Sequence, residues 1–148
     1  MMGFTPTQSI PKSGEIRLGF VEASHISDGS HKYTGLRPYL VVSNNVYNNT
    51  SQHAEVIPFT TKRFNSKNPV HVQYSKGEVD GLVKNSTLVV EGRTTLPHSS
   101  LSEPIGCFTE DNWKKAAKGM ALQTPQIFMA FVDGIHKTPL YNHILTAE

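Results

Sequence analysis

The fold is decided by the stretch Gly35-Leu36-Arg37-Pro38-Tyr39-Leu40-Val41-Val42-Ser43. Residues 40–42 form an apolar run rich in β-branched side chains, which predicts a short buried strand. Proline fixes its own φ and favours extended backbone in the residue before it, so we expect Arg37 at the mouth of this strand. A guanidinium held on a rigid element is suited to binding carboxylates or phosphates. The stretch therefore predicts an anion site or, alternatively, an ordinary edge arginine that is solvated or paired with a carboxylate.

The rest of the chain adds short strands and one helix around this stretch. Alternating or β-branched apolar residues predict strands at 16–20, 54–59, 70–74, 88–94 and 105–108. Pro58 lacks a backbone donor, which predicts an edge or a bulge at the end of its strand. Thr109 is a suitable N-cap for an amphipathic helix that Pro125 ends. This order of elements predicts a small curled sheet or barrel capped by a helix.

Composition limits the possible functions without choosing among them. The 148 residues suffice for one domain with its own core. The formal charge of +2 is compatible with nucleic-acid binding but does not indicate it. The single cysteine cannot form an intramolecular disulfide, and the sequence shows neither a signal peptide nor an apolar run that could span a bilayer. We therefore expect a cytoplasmic protein with no membrane partner.

Four motifs follow one another in a distinctive order. They are Gly14-Glu15-Ile16-Arg17-Leu18, the Gly35–Ser43 stretch, Val56-Ile57-Pro58-Phe59-Thr60-Thr61 and Leu88-Val89-Val90-Glu91-Gly92-Arg93-Thr94. Their order and spacing resemble the MazF/PemK family of toxin endoribonucleases over residues 14–123. The resemblance implies a mainly β (α+β) fold, a small SH3-like barrel of short antiparallel strands with a C-terminal amphipathic helix, that forms a homodimer. Residues 1–13 are then an irregular lead-in. Residues 124–148 are a C-terminal extension, whose apolar part we expect to pack on the domain or on a partner.

The resemblance also implies site residues. Arg37 matches the family's arginine before proline, which holds the scissile phosphate, and Thr60 matches the hydroxyl residue that contacts the same phosphate. His31 stands where the PemK branch places a loop histidine that could exchange a proton. The other histidines lack metal-ligand spacing, and the family acts without a cofactor, so neither metal nor cofactor is expected. Further RNA contacts are expected from Lys32, Thr61, Lys62, Arg63, Glu91 and Arg93.

Two departures from the family pattern leave the general base unassigned. Lys32 follows His31 where many relatives carry a carboxylate, so it could instead add phosphate affinity. Val90 occupies the acidic position three residues before Arg93, with Glu91 next to it. Either a bulge at Gly92 turns Glu91 into the site, or Glu91 and Arg93 form a structural ion pair.

The sequence thus supports a leading hypothesis and two alternatives. The first is the toxin of a type II toxin–antitoxin system, a metal-independent, sequence-selective endoribonuclease that cleaves single-stranded mRNA and is bound by a cognate antitoxin. The second is a non-enzymatic inhibitor of a protein target, as in CcdB-like relatives of the fold. The third is a catalytically silent RNA-binding barrel. The arginine–proline and threonine pairing favours the nuclease.

Overall fold

The computed structural model describes residues 4–6, 9–22, 34–62 and 64–135, without the side chain of residue 135. The strands in these ranges are β1 Glu15–Val21, β2 Gly35–Val41, β3 His53–Thr60, β4 His71–Tyr74, β5 Ser86–Val89, β6 Thr94–Pro97 and β7 Leu101–Cys107. The α-helices are α1 Asn45–Thr50, α2 Glu110–Gln123 and α3 Pro125–Ile135. Short 3₁₀ turns cover Val90–Gly92 and His98–Ser100.

The strands form one antiparallel sheet in the order β4-β5-β3-β2-β1-β7, with β6 also paired to β3. The mainly β fold with a C-terminal helix is thereby confirmed. Of the two alternatives expected at Pro58, an edge is wrong because β3 is central, and a bulge stays a prediction. On one side β3 pairs with β6 up to Val56 and with β5 from Phe59 onward. Pro58 lies between these ladders, where a missing donor is tolerated.

The two outer strands of the sheet approach each other through a turn. In the described ranges β4 and β7 share no ladder, so the sheet is curled but not closed. The β4–β5 turn instead packs its backbone on β7. A Cβ added to Gly106 would lie only 1.9 Å from the Asp80 carbonyl oxygen, and one added to Gly81 would lie 2.5 Å from the Ile105 carbonyl oxygen. Glycine at both positions therefore allows the close contact between the β4–β5 turn and β7.

Helix α2 covers the main core. Its Trp113, Ala116 and Met120 pack on a cluster that includes Leu40, Ile57, Phe59, Leu88 and Phe108. Gly119 lets the helix approach closely, because a Cβ there would lie 2.5 Å from Val72 Cγ2. The predicted N-cap is confirmed: Thr109 accepts a hydrogen bond from the Asn112 backbone N–H, and the Asn112 side chain accepts one in return.

This cap gives a first prediction. Thr109→Ala removes the hydroxyl that accepts from the helix and is expected to lower the free energy of unfolding by about 1 kcal/mol. Urea denaturation at neutral pH measures the change. The control Thr95→Ala replaces an exposed strand residue and is expected to have a smaller effect. Equal losses for the two variants would contradict the capping role.

Helix α3 begins at Pro125, which ends α2 as predicted. Its large apolar side chains face solvent: Ile127 is 70% exposed, Met129 64% and Phe131 46%. Within the described ranges α3 contacts α2, and no described α3 residue is buried. Among the helices described, none is long and apolar enough to span a membrane. The expected packing of residues 124–148 on the domain or a partner stays a prediction.

Candidate functional site

Strand register brings Arg37 and Thr60 to the same face of the sheet. Tyr39 on β2 pairs with Pro58 on β3. Arg37 lies two residues before Tyr39, and Thr60 two residues after Pro58, so all four side chains share one face. The β2–β3 ladder ends at the Tyr39–Pro58 pair, and the same antiparallel register extended by two residues would set Arg37 opposite Thr60. The two residues expected to contact one phosphate therefore lie on one face of β2 and β3, just beyond the end of their ladder.

The same row continues onto two more strands. Thr60 pairs with Thr87 on β5, and Thr87 pairs with Gln73 on β4. We call Arg37, Thr60, Thr87 and Gln73 the polar row. Thr87 is fully buried, and its hydroxyl has no hydrogen-bond partner among the described residues. Sequence reasoning missed Thr87 and Gln73, because only the register of β3, β5 and β4 aligns them with Thr60.

Arg37 is partly buried and lies between Thr34 and β1. Its Nη2 donates a 3.0 Å hydrogen bond to the Thr34 carbonyl oxygen. Gly19 lies opposite on β1, and the Tyr39 ring fills the space above it, since a Cβ at Gly19 would lie 2.7 Å from that ring. Burial raises the pKa of Tyr39 more than the nearby positive charge of Arg37 lowers it. Tyr39 is therefore neutral at physiological pH, and Arg37 supplies the charge at this position.

The Thr60 hydroxyl can donate a hydrogen bond to a bound anion. It is 8% exposed, and its Oγ1 accepts a 3.2 Å hydrogen bond from the Lys62 backbone N–H. With that acceptor position used, the hydroxyl hydrogen is available to an oxygen of a bound anion. Lys62 and Thr61 are exposed directly beside it. A cationic guanidinium and a hydroxyl donor side by side can bind two oxygens of one phosphate.

Glu91 and Arg93 have different surroundings from those expected. Glu91 lies in the 3₁₀ turn Val90–Gly92 and not on a continuous strand, so two-residue alternation does not apply to it. Its carboxylate accepts a 2.6 Å hydrogen bond from His71 Nε2. Arg93 pairs with Glu55 at 3.2 Å. The alternative of an ion pair between Glu91 and Arg93 was therefore wrong, and an RNA contact by either residue stays a prediction.

Three expected site residues lie outside the described part of the chain: His31, Lys32 and Arg63. The polar row itself contains neither a carboxylate nor an imidazole, so the general base has to come from elsewhere. Among the residues that are described, no group of three or more His, Cys, Asp and Glu side chains could hold a metal ion. The chemistry that the described geometry supports is binding and charge stabilisation of a phosphate by Arg37 and Thr60.

Comparison with known families agrees with the motif order. The model of the PemK-like, MazF-like toxins of type II toxin–antitoxin systems matches residues 13–123, which include the whole sheet and α2. The chain belongs to this family. The match ends where α3 begins, so α3 lies outside the part that the family shares. No curated protein gives a significant match to the sequence.

Solved structures of MazF-like proteins share the fold at low sequence identity. The Mycobacterium tuberculosis toxin MazF-mt6 is 18% identical with a TM-score of 0.57, covering 73% of this chain and 93% of that one. MazF from Deinococcus radiodurans is 17% identical with a TM-score of 0.62, covering 78% and 97%. A mycobacterial endoribonuclease in complex with its cognate antitoxin is 22% identical with a TM-score of 0.56, covering 76% and 92%. The MazF-like fold is thus present almost completely, and this chain extends beyond it.

Proposed function

We propose that this PemK/MazF-family toxin is a metal-independent endoribonuclease that cleaves single-stranded RNA at the polar row. The observation that supports the proposal is the β2–β3 register, which pairs Tyr39 with Pro58 and, extended by two residues, puts Arg37 and Thr60 on one sheet face. Both belong to the part of the chain that the family model matches. Membership of the PemK/MazF family, with an endoribonuclease among the similar structures, supports this function over a CcdB-like inhibitor. Cleavage and silent RNA binding both need the phosphate contacts of the polar row, and a cleavage assay distinguishes them.

In the proposed reaction the RNA supplies its own nucleophile. The 2′-oxygen attacks the adjacent phosphorus, the bond from phosphorus to the 5′-oxygen breaks, and the products carry a 2′,3′-cyclic phosphate and a 5′-hydroxyl. Arg37 holds the scissile phosphate and stabilises the charge that develops on its oxygens. Thr60 donates its hydroxyl to a second phosphate oxygen. Tyr39, whose ring packs over Gly19 opposite Arg37, stays neutral because burial raises its pKa, so Arg37 alone supplies charge at this position.

The reaction also needs a proton acceptor for the 2′-hydroxyl and a donor for the leaving oxygen. We assign this exchange to His31, because imidazole titrates near neutral pH and the polar row offers no such group. Lys32, Thr61, Lys62 and Arg63 provide further contacts to the RNA backbone in this proposal. Single-stranded RNA is preferred over duplex RNA in this proposal, because its unpaired bases can leave the stack and contact the protein.

Antitoxin binding and dimer formation belong to the same proposal. Two of the similar structures are a mycobacterial endoribonuclease with its cognate antitoxin and MazE–MazF from Deinococcus radiodurans. We propose that a cognate antitoxin covers the Arg37 face with acidic side chains and so competes with RNA, and that the toxin acts as a homodimer.

Phosphate contacts predict a salt-dependent affinity. If Arg37, Lys62 and Arg63 each neutralise one phosphate, the logarithm of the RNA association constant falls with the logarithm of salt concentration with a slope of about −2. Fluorescence anisotropy with a labelled single-stranded RNA measures this slope when the titration is repeated at salt concentrations from about 50 to about 300 mM. An affinity that is flat across this range would contradict binding through these cations.

Growth measurements test the function in cells. Induced expression of the chain in a bacterium is expected to arrest growth, with messenger RNAs cut at a recurring short sequence when 5′ ends are mapped. Thr60→Ala, expressed to the same level, is expected to reduce cutting at least about tenfold and to restore growth, because it removes one donor to the phosphate. Arrest with intact RNA would instead favour a protein-targeting inhibitor.

A further inference from the structure

The buried His71 links Ser66, in the loop before β4, to Glu91, in the 3₁₀ turn after β5. The His71 side chain is 4% exposed, and its Nε2 lies 2.6 Å from Glu91 Oε2. Its other ring nitrogen, Nδ1, lies 2.7 Å from Ser66 Oγ. An ionised carboxylate only accepts, so Nε2 carries the hydrogen that Glu91 accepts. In the neutral ring Nδ1 then accepts from the Ser66 hydroxyl, and Glu91 thereby fixes both the tautomer and the orientation of His71.

Ser66 lies in the β3–β4 loop, of which residues 61, 62 and 64–70 are described, and two β4 side chains, those of His71 and Gln73, bind this part of the loop. His71 binds the Ser66 hydroxyl, and Gln73 Nε2 donates a 2.7 Å hydrogen bond to the Ser66 carbonyl oxygen. Gln73 also accepts a 2.8 Å hydrogen bond from the Asn65 backbone N–H. Asn65 has a φ of 69°, a left-handed conformation that asparagine adopts more readily than most residues. These contacts define one conformation of the loop.

The held loop connects directly to the proposed cleavage site. It begins after Thr60, and its Lys62 backbone N–H is hydrogen-bonded to the Thr60 hydroxyl oxygen. His71 and Gln73 lie two residues apart on β4, and Gln73 belongs to the polar row, so His71 projects from the same face. The proposed function does not use Ser66, His71 or Glu91 in the chemical step. These three residues instead connect the loop that contains Lys62 to the sheet that contains Thr60.

We propose that Ser66, His71 and Glu91 form a positioning chain that holds the β3–β4 loop in the conformation that binds RNA. This inference rests on the proposed endoribonuclease function. A loop ordered in advance does not have to be ordered when RNA binds, so the chain lowers the cost of binding. Its loss therefore raises KM and leaves kcat nearly unchanged, because Arg37 and Thr60 are positioned by β2 and β3.

Variants that break single links of the chain test the proposal. Ser66→Ala removes the hydroxyl in a partly exposed loop position, where the fold tolerates the change. Glu91→Gln keeps an oxygen that accepts from His71 Nε2, whereas Glu91→Ala does not. Ser99→Ala, at an exposed position outside the loop, is the matched control for Ser66→Ala. For each protein, KM and kcat are measured on an RNA oligonucleotide containing the mapped cleavage sequence, and amide hydrogen exchange of residues 64–70 is measured without RNA.

Ser66→Ala and Glu91→Ala are expected to raise KM about tenfold, with kcat changed by less than about twofold, and to speed amide exchange in residues 64–70. Ser99→Ala is expected to match the parent in both measurements, and Glu91→Gln, which keeps the acceptor for His71, is expected to lose less than Glu91→Ala in both. A parent-like KM for Ser66→Ala, a loss confined to kcat, or unchanged amide exchange overturns the positioning chain while leaving the nuclease in place. A parent protein that leaves RNA intact overturns the proposed function and this inference with it.

Discussion

Arg37→Ala is expected to lower kcat/KM for RNA cleavage by at least about 100-fold while the protein stays folded. The guanidinium provides the main positive charge of the polar row, and the transition state places more negative charge on the phosphate oxygens than the substrate does. Arg37 is only partly buried near the start of β2, so alanine there removes charge without opening the main core. Initial rates on a defined RNA oligonucleotide measure the effect, and thermal unfolding verifies the fold.

Two further variants make this measurement specific. Arg37→Lys keeps the charge but loses the planar fork of donors, so it is expected to recover only part of the rate. Lys114→Ala removes one positive charge from the exposed surface of α2, where Lys114 Nζ lies 3.6 Å from Glu110 Oε1, and is expected to keep the parental rate. If Arg37→Ala and Lys114→Ala lose activity equally, the effect reflects net charge and the assigned role of Arg37 is wrong.

Gly106→Ala is expected to be the most destabilising single-methyl change in the sheet, lowering the free energy of unfolding by about 3 kcal/mol. The added Cβ would lie 1.9 Å from the Asp80 carbonyl oxygen, so two backbone segments would have to separate. No flexible side chain is available to move aside. β4 and β7 share no ladder in the described ranges, so this backbone contact is what holds the β4–β5 turn against β7. Its loss is expected to separate the two ends of the curled sheet.

Thermal unfolding measures this change, with an expected fall in Tm of about 10 °C. Gly134→Ala in α3 is the matched control, since a Cβ there meets no described atom within 4 Å. That variant is expected to retain or slightly raise the parental Tm, because alanine favours helices over glycine. An equal Tm for Gly106→Ala and Gly134→Ala would contradict the close backbone packing of the β4–β5 turn on β7.

The elements with local sequence signals were predictable. The strand after Pro38 follows from three consecutive apolar residues, and α2 follows from the Thr109 cap and its apolar face. The break in the predicted strand at 88–94 was not predictable, because it depends on β3 changing partner from β6 to β5 around Pro58. The sequence of residues 88–94 alone carries no information about which strands pair with β3.

The candidate site divides in the same way. Arg37 and Thr60 were predicted from motif resemblance, and the β2–β3 register extended beyond Tyr39 and Pro58 puts them on one face of the sheet. His71 was only one of the histidines that lack metal-ligand spacing, and the structure buries its side chain. Its bonds to Ser66 and Glu91, five and twenty positions away, arise from the β4–β5 ladder and the 3₁₀ turn after it. Such a chain has no sequence signal of its own, since serine, histidine and glutamate at these spacings are common.

The most direct test of the central claim is incubation of the purified protein with a long unstructured RNA in excess EDTA, beside Arg37→Ala. The expected result is a set of discrete fragments from the parent, each ending in a 2′,3′-cyclic phosphate, and intact RNA from the variant. RNA left intact by the parent would contradict the endoribonuclease. Identical fragments from both proteins would contradict the placement of the reaction at Arg37 and Thr60.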